Sequence, residues 1–468
     1  MNSAILRIAV PSILANITIP LVGLVDMVIA GHLSSAWTIG GIAVGTMLFD
    51  MLYGCFGFLR VSTAGLTAQA YGANRLDECG SLLVRSSALA LAGSLVIWLL
   101  QSVYLEAVLS VMPCSQEVAD FARAYYNIRI WAAPATLMIM TCKGWFIGMQ
   151  DGVRAMVLDL VVNGVNMLAS YVLAVHTSLG VVGVAYGTLI AQWTGLSVAL
   201  MMIALRYANH FRLLSLSETV FCLLSNNSRF VKLNADLFVR SLCFIVVYVG
   251  WTAISSGFGD VELAASSLMM KLFMLFSFFI DGFAYAGEAL VGKAIGEQQS
   301  AISNQQSVVS NQHSAVSSQN HNRLSTFDFR LSTIIKALFA WGTGVGLFFT
   351  LLYGLFADVH FSLLTSDAEV IACMHKYVGW LIAMPMVSML AFMWDGIYAG
   401  ATRGKQIRNA MILAAFAFAA TYFLLSTFDS RLSTLDSPLS TCIGTHALYA
   451  AYFAHLLARV IYLTAKFK

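Results

Sequence analysis

The chain has 468 residues, 59% of them hydrophobic and only 10% charged, with a net charge of +3. Soluble domains carry about 25% charged residues. A soluble chain of this length could not hide so much apolar surface, so a soluble fold is excluded and much of that surface must face lipid. The slight positive charge gives no case for a nucleic-acid partner. The eight cysteines, Cys55, Cys142 and Cys243 among them, lie mostly within apolar runs and show no CxxC pairing. They read as small buried hydrophobes, with no metal site and no cofactor implied.

A helix that spans a membrane needs roughly 20 mostly apolar residues. Twelve such runs follow one another at 5–30, 38–61, 82–111, 118–149, 155–176, 180–206, 231–258, 263–295, 332–358, 370–401, 406–426 and 442–465. The first is too long for a signal-peptide core and has no small-residue cleavage site, so it reads as a retained membrane helix. Barrel-type alternation is absent, and each segment in a bilayer must satisfy its own backbone. The expected fold class is therefore an all-α integral membrane protein with twelve transmembrane helices.

Basic residues cluster in alternate connections: Arg75; Lys143 and Arg154; Arg206, Arg212, Arg229 and Lys232; Lys293, Arg323 and Arg330; Arg403, Lys405 and Arg408; then Lys466 and Lys468. The intervening connections, such as 31–38, 176–180 and 259–262, are nearly free of Lys and Arg. By the positive-inside rule both termini face the cytoplasm, which requires an even number of spans, and the protein belongs in the cell inner (cytoplasmic) membrane.

The two halves resemble each other. Gly65-Leu-Thr-Ala-Gln-Ala-Tyr-Gly72 matches Ala289-Leu-Val-Gly-Lys-Ala-Ile-Gly296 at an offset of 224, and Phe146-Ile-Gly148 matches Tyr398-Ala-Gly400 at an offset of 252. These matches fall after the second and eighth runs and after the fourth and tenth. They predict a parallel six-plus-six repeat, a common transporter plan with the substrate site between two pseudo-symmetric lobes. The expected organisation is an N-terminal lobe over 1–212, a cytoplasmic linker over 213–230 and a C-terminal lobe over 231–468.

The offset grows by 28 between the two matches, so the second half holds extra sequence. Residues 300–320 read SAISNQQ, SVVSNQH, SAVSSQN, and a ten-residue motif at 324–333 recurs almost unchanged at 425–434. These low-complexity inserts, at about 299–331 and 427–441, are too polar to fold alone and read as additions tolerated in loops.

Charges within membrane helices are costly, so each one is a candidate for function. Asp26 stands out in an otherwise uncharged stretch, roughly 7 to 8 Å inside the end of the first helix. A carboxyl there is hard to ionise in low dielectric, and it can take up and release a proton as water reaches it. Pro11 and Pro20 lie in the same helix, where proline removes a backbone donor and favours a bend. The fifth run carries Asn163, Asn166 and Ser170 with Asp159 at its start. Its amides need partners and face the bundle interior, as helix-to-helix contacts or as the lining of a cavity. Arg60, Arg85, Lys293 and Arg459 lie near helix ends and are expected to snorkel. Lys271, Asp281 and Glu288 share the eighth run and read as structural pairing groups. Arg240 and Asp395 are candidates for a pair across the second half.

At this point the sequence resembles the multidrug and toxic compound extrusion (MATE) family, and within it the DinF-type branch. The resemblance rests on the stretches Pro20–Leu33, Phe58–Gly72, Asp281–Leu290 and Trp394–Arg403, and covers nearly the whole chain outside the inserts. It implies two six-helix lobes, a V-shaped outward-open cleft, and antiport of small organic, often cationic, compounds against H⁺ or Na⁺. By resemblance Asp26 matches the family's first-helix protonation site, Pro11 the proline where that helix bends, Asn166 a helix-5 asparagine and Thr188 a helix-6 threonine of the same polar network. Ser170 stands where many relatives have a second aspartate, and Arg240 occupies the place of a helix-7 glutamate in the NorM-type branch. Asp395 lies about a turn from that branch's helix-10 aspartate.

These features point to a multidrug exporter that is monomeric, sits in membrane lipid and is coupled to H⁺, with Na⁺ near Asp26 as the alternative ion. A lipid-linked oligosaccharide flippase would need several cleft cations to meet a pyrophosphate. A membrane-embedded enzyme is disfavoured by the lack of HExxH, GxSxG or paired His/Asp motifs. A degraded, inactive carrier is the remaining alternative, suggested by the inserts and Ser170.

Overall fold

The computed structural model describes residues 1–33, 36–111, 115–211, 228–309, 317–432 and 440–467. The first half contains α1 (Asn2–Leu33), α2 (Ala36–Cys55), α3 (Phe58–Gly72), α4 (Leu76–Val111), α5 (Gln116–Arg129), a 3₁₀ turn (Ile130–Ala132), α6 (Ala133–Gly148), α7 (Gly152–His176) and α8 (Val182–Phe211). The second contains α9 (Ser228–Ser256), α10 (Asp260–Val309), α11 (Ser317–Leu355), the short α12 (Ala357–Leu364), α13 (Ala368–Gly400), α14 (Gly404–Leu432) and α15 (Ser440–Lys466). Twelve spans are long and apolar enough to cross a membrane. The chain is an all-α multi-pass membrane protein, as its apolar runs predict.

Two spans are interrupted, each for a local reason. Between α2 and α3 the Phe56 and Gly57 amides reach back only three residues, to Tyr53 and Gly54. Between α5 and α6, Pro134 has no amide hydrogen to give to the Ile130 carbonyl. The Trp98 indole donates to that carbonyl instead, at 3.1 Å.

The duplication is visible in the packing register. A Cβ on Gly144 would lie 2.3 Å from the Arg60 carbonyl oxygen, and one on Gly396 would lie 2.4 Å from that of Ala284. Gly148 meets the Ala64 carbonyl at 2.7 Å, and Gly400 meets that of Glu288 at 2.5 Å. Both offsets found in the sequence, 224 and 252, therefore describe one pair of helix crossings built twice. The turns that follow also match: Gln150 and Thr402 both take positive φ, 62° and 52°. The two copies meet each other where Gly72 faces the Lys293 carbonyl and Gly296 faces that of Gln69, with Cβ clearances of 2.0 and 1.9 Å.

Several expectations are corrected here. The Gly65–Gly72 motif does not follow the second span but completes it as the C-terminal part of α3. The polar side chains around it are buried in the helix packing. Ser62 donates to Asn234 at 2.6 Å, Thr63 to the Leu59 carbonyl at 2.6 Å, and Gln69 to the Gly400 carbonyl at 2.8 Å. Lys143 is not in a loop but buried in α6. The described parts of the inserts are helical, because α10 runs to Val309, α11 begins at Ser317 and α14 runs to Leu432. Extending an existing helix is far easier than nucleating one, so a spanning helix can carry polar residues beyond the bilayer. Residues 310–316 and 433–439 lie outside the described residues. Of the expected linker, 228–230 open α9, and 213–227 likewise lie outside.

The lobes touch where α1 meets α10 and where α2 and α3 meet α9. Ala9 and Ile13 of α1 pack on Gly282 of α10, and Asn16 donates to the Phe278 carbonyl at 3.2 Å. In the mirror arrangement α3 meets α9 through Ser62–Asn234 and through the rings of Phe58 and Phe238, 5.8 Å apart. Gln150 donates to the Ala289 carbonyl at 2.8 Å. These contacts lie toward the side of the chain termini, and nearer mid-span a Cβ on Gly54 of α2 would lie 3.6 Å from the Ile245 side chain of α9. The V-shaped cleft that the family resemblance implies would lie between the lobes beyond these contacts.

Candidate functional site

Two polar groups lie in the spans. The first is inside the N-terminal lobe, where α1 packs on α7 and α7 on α8. Asp26 is 8% exposed, and its Oδ1 has no hydrogen-bond partner among the described residues. On α7, Asn163 donates to Thr18 of α1. One turn on, Asn166 donates to Thr188 of α8 at 3.0 Å, and Thr188 donates to the Val184 carbonyl at 3.1 Å. The Asn166 carbonyl oxygen is buried without a partner among the described residues. The lobe therefore buries at least two unused acceptors, one on α1 and one on α7, and an unused buried acceptor is a place for a proton-bearing group or a cation.

Ser170 belongs to helix packing. Gly187 of α8 approaches its backbone so closely that a Cβ there would lie 2.5 Å from the Ser170 nitrogen. Pro11 and Pro20 lie within α1, which continues without a break to Leu33. The expected bend is thus not a break in the helix. Neither proline supplies the amide hydrogen its turn would use, and Ser12 and Thr18 turn their hydroxyls onto the Ile8 and Ala15 carbonyls.

The sequence reading passed over Arg129 and Asp50. Arg129 ends α5 at the 3₁₀ turn, over the ring of Phe49 at 4.7 Å and donating to the Tyr125 hydroxyl at 3.0 Å. Asp50 is solvent-exposed although it lies mid-span on α2. Both residues sit inside apolar runs and carried the same signal as Asp26, a charge where a charge is costly.

The second group lies where the lobes meet, at the floor of the cleft. Arg60 of α3 forms a 3.0 Å ion pair with Glu288 of α10 across the two lobes. Lys143 pairs with Asp159 at 2.5 Å within the first lobe. In the second, Asp395 of α13 accepts from Arg240 at 2.9 Å and from Arg459 at 2.5 Å. The snorkelling expected of Arg60 and Arg459 is therefore overturned, because their side chains are only 18% and 5% exposed and end on carboxylates. Lys293 is part-exposed, 4.0 Å from Glu297 and over the Tyr71 ring. Asp281 is half-buried and makes no direct ion pair among the described residues. Lys271 is exposed on α10 and joins no ion pair among the described residues, so the structural pairing expected of it is not seen there.

The sequence and fold can now be set beside known proteins. The family model described as MatE matches residues 11–172. DNA damage-inducible protein F of Escherichia coli (strain K12) is 30% identical over 99% of this chain and 91% of its own length. The chain belongs to the MATE family. Its resemblance to the DinF-type branch thus extends from end to end. Human Multidrug and toxin extrusion protein 1 is a more distant MATE relative, 24% identical over 63% of this chain and 51% of its own. The outward-facing conformation of a multidrug resistance MATE family transporter of the MOP superfamily shares the fold. It has a TM-score of 0.78 at 16% identity and covers 99% of this chain and 95% of that one.

Within this MATE chain, the first-lobe residues named from the resemblance, Asp26, Asn166 and Thr188, lie on three helices packed in sequence, α1, α7 and α8. In the second lobe Arg240 and Asp395 are consumed by a three-member ion cluster with Arg459, leaving no carboxylate pair at that position.

Proposed function

We propose that this MATE protein exports organic, often cationic, compounds across the cytoplasmic membrane by alternating access, in exchange for protons taken up at Asp26. The observation that carries the reading is the buried, unpartnered Asp26 oxygen in the lobe that also buries the free Asn166 carbonyl. A carboxyl so placed gains from a proton when dry and loses it when water and a counter-charge arrive. With both termini in the cytoplasm, as the loop charges favour, the cleft opens outward. A flippase of pyrophosphate-linked lipids would need uncommitted cations, whereas Arg60 and Lys143 are each held by a carboxylate.

The test is ethidium flux in inverted membrane vesicles energised by a pH gradient or by a Na⁺ gradient. Flux should follow the pH gradient and fall at least about tenfold in Asp26→Asn, the loss expected when about 1.4 kcal/mol of coupling is removed. Flux driven by Na⁺ alone, or an Asp26→Asn protein as active as the parent, would overturn the proton reading.

A further inference from the structure

We infer that Asp281, Tyr285 and Glu288 form a cage for an organic cation on α10, and that in the present state the guanidinium of Arg60 occupies it as a built-in stand-in. The inference rests on the export reading for the class of ligand, and on geometry for the site. The three residues are spaced i, i+4 and i+7, so they share one helix face. Arg60 arrives from the other lobe with its guanidinium carbon 4.1 Å from the centre of the Tyr285 ring and an NH group 3.0 Å from Glu288. Asp281, one turn before Tyr285 on the same helix face, adds a second carboxylate. An aromatic face beside carboxylates is the chemistry that recognises an organic cation. Glu288 is 1% exposed and its Oε1 has no hydrogen-bond partner among the described residues, so the cage retains an unused acceptor.

Charge counting shows why the stand-in must be replaced when the lobes part on this side. The first lobe brings Arg60, Lys143 and Asp159 to the cleft floor, one positive charge in excess. The second brings Arg240, Arg459, Asp281, Glu288 and Asp395, one negative charge in excess. The lobes neutralise each other only while Arg60 sits on Glu288. Once Arg60 leaves with its own lobe, the cage faces the side of the chain termini with a net negative charge and a bare aromatic ring. Arg240 cannot fill it without leaving Asp395. A substrate cation entering from that side completes the cage, so loading and the opening of the floor are one event. Arg60 is therefore a positioning residue that holds the site closed, and Tyr285 and Glu288 are its ligand-binding residues.

The test uses the full chain in detergent and the planar cation ethidium as probe, read by fluorescence anisotropy. Arg60→Met, which keeps a long apolar side chain but removes the charge, should bind ethidium about fivefold or more tightly than the parent. Adding Tyr285→Leu to Arg60→Met should abolish that gain, and adding Tyr285→Phe should keep it, since the ring supplies about fivefold in affinity. No gain in Arg60→Met, or a gain that survives Tyr285→Leu, would overturn the cage. Should Arg60→Met fail to give monodisperse protein, Tyr285→Leu alone keeps the ion pair and should raise the KM for ethidium flux by a similar factor. An unchanged KM then overturns the proposal. Loss of proton coupling with the Arg60→Met gain intact would instead refute the antiport reading and leave the cage standing.

Discussion

Asp395 shows how much can depend on one side chain in this protein. It holds two guanidinium groups, and the Arg459 side chain is 5% exposed. Removing one partner of a buried ion cluster leaves the other charges uncompensated, typically at a cost of about 3–5 kcal/mol. Asp395→Asn is therefore expected to unfold at a clearly lower temperature in detergent, and Asp395→Asn with Arg459→Met to recover part of the loss. A melting temperature equal to that of the parent in the single variant would show that water, not Asp395, balances the two arginines. At this scale the sequence was informative about which residues matter and silent about whom they meet. Asp26 and Asp395 were legible because a charge in an apolar run is costly. That Arg60 points inward to Glu288 rather than out to the membrane surface was not, because its partner lies 228 positions away.

At the scale of helices, the duplicated glycines set how closely the two halves approach. Gly72 and Gly296 let the ends of α3 and α10 cross with backbone against backbone. A larger side chain at this crossing must push the lobes apart, and overpacking of this kind costs about 1–3 kcal/mol. Gly296→Leu should hence disfavour the closed floor and reduce ethidium transport by roughly tenfold, at unchanged membrane abundance. Gly164→Leu is the control, because a Cβ at Gly164 has nothing within 4 Å. Equal loss in both variants would remove the crossing from the explanation. The apolar runs located every span but misjudged the end of the second. Ser62 and Gln69 lie beyond the apolar run that ends at 61, and their hydrogen bonds to Asn234 and to the Gly400 carbonyl of the opposite lobe make them helix–helix contacts.

For the whole molecule, the alternate loop charges lead to one prediction. Cysteines placed at Ser303 and at His176, in a background whose native cysteines are replaced, should be labelled from opposite sides of intact vesicles by a membrane-impermeant maleimide. Ser303 should react from the cytoplasmic side. Labelling of both from one side would contradict the topology, and a reversed pattern would contradict the positive-inside assignment.

By itself the sequence determined that this chain must live in a membrane, that it crosses twelve times, and that its two halves repeat. Those properties follow from local composition and from helical self-sufficiency in lipid, which need no long-range contact. The tertiary structure alone decided that the lobes are joined where α1 meets α10 and where α3 meets α9. It also decided that the polar motif after Arg60 is helical, and that four cations at the cleft floor are matched with carboxylates. Such pairings depend on which helix faces which, and in a bilayer that choice rests on small residues and buried polar groups whose partners lie far away in sequence.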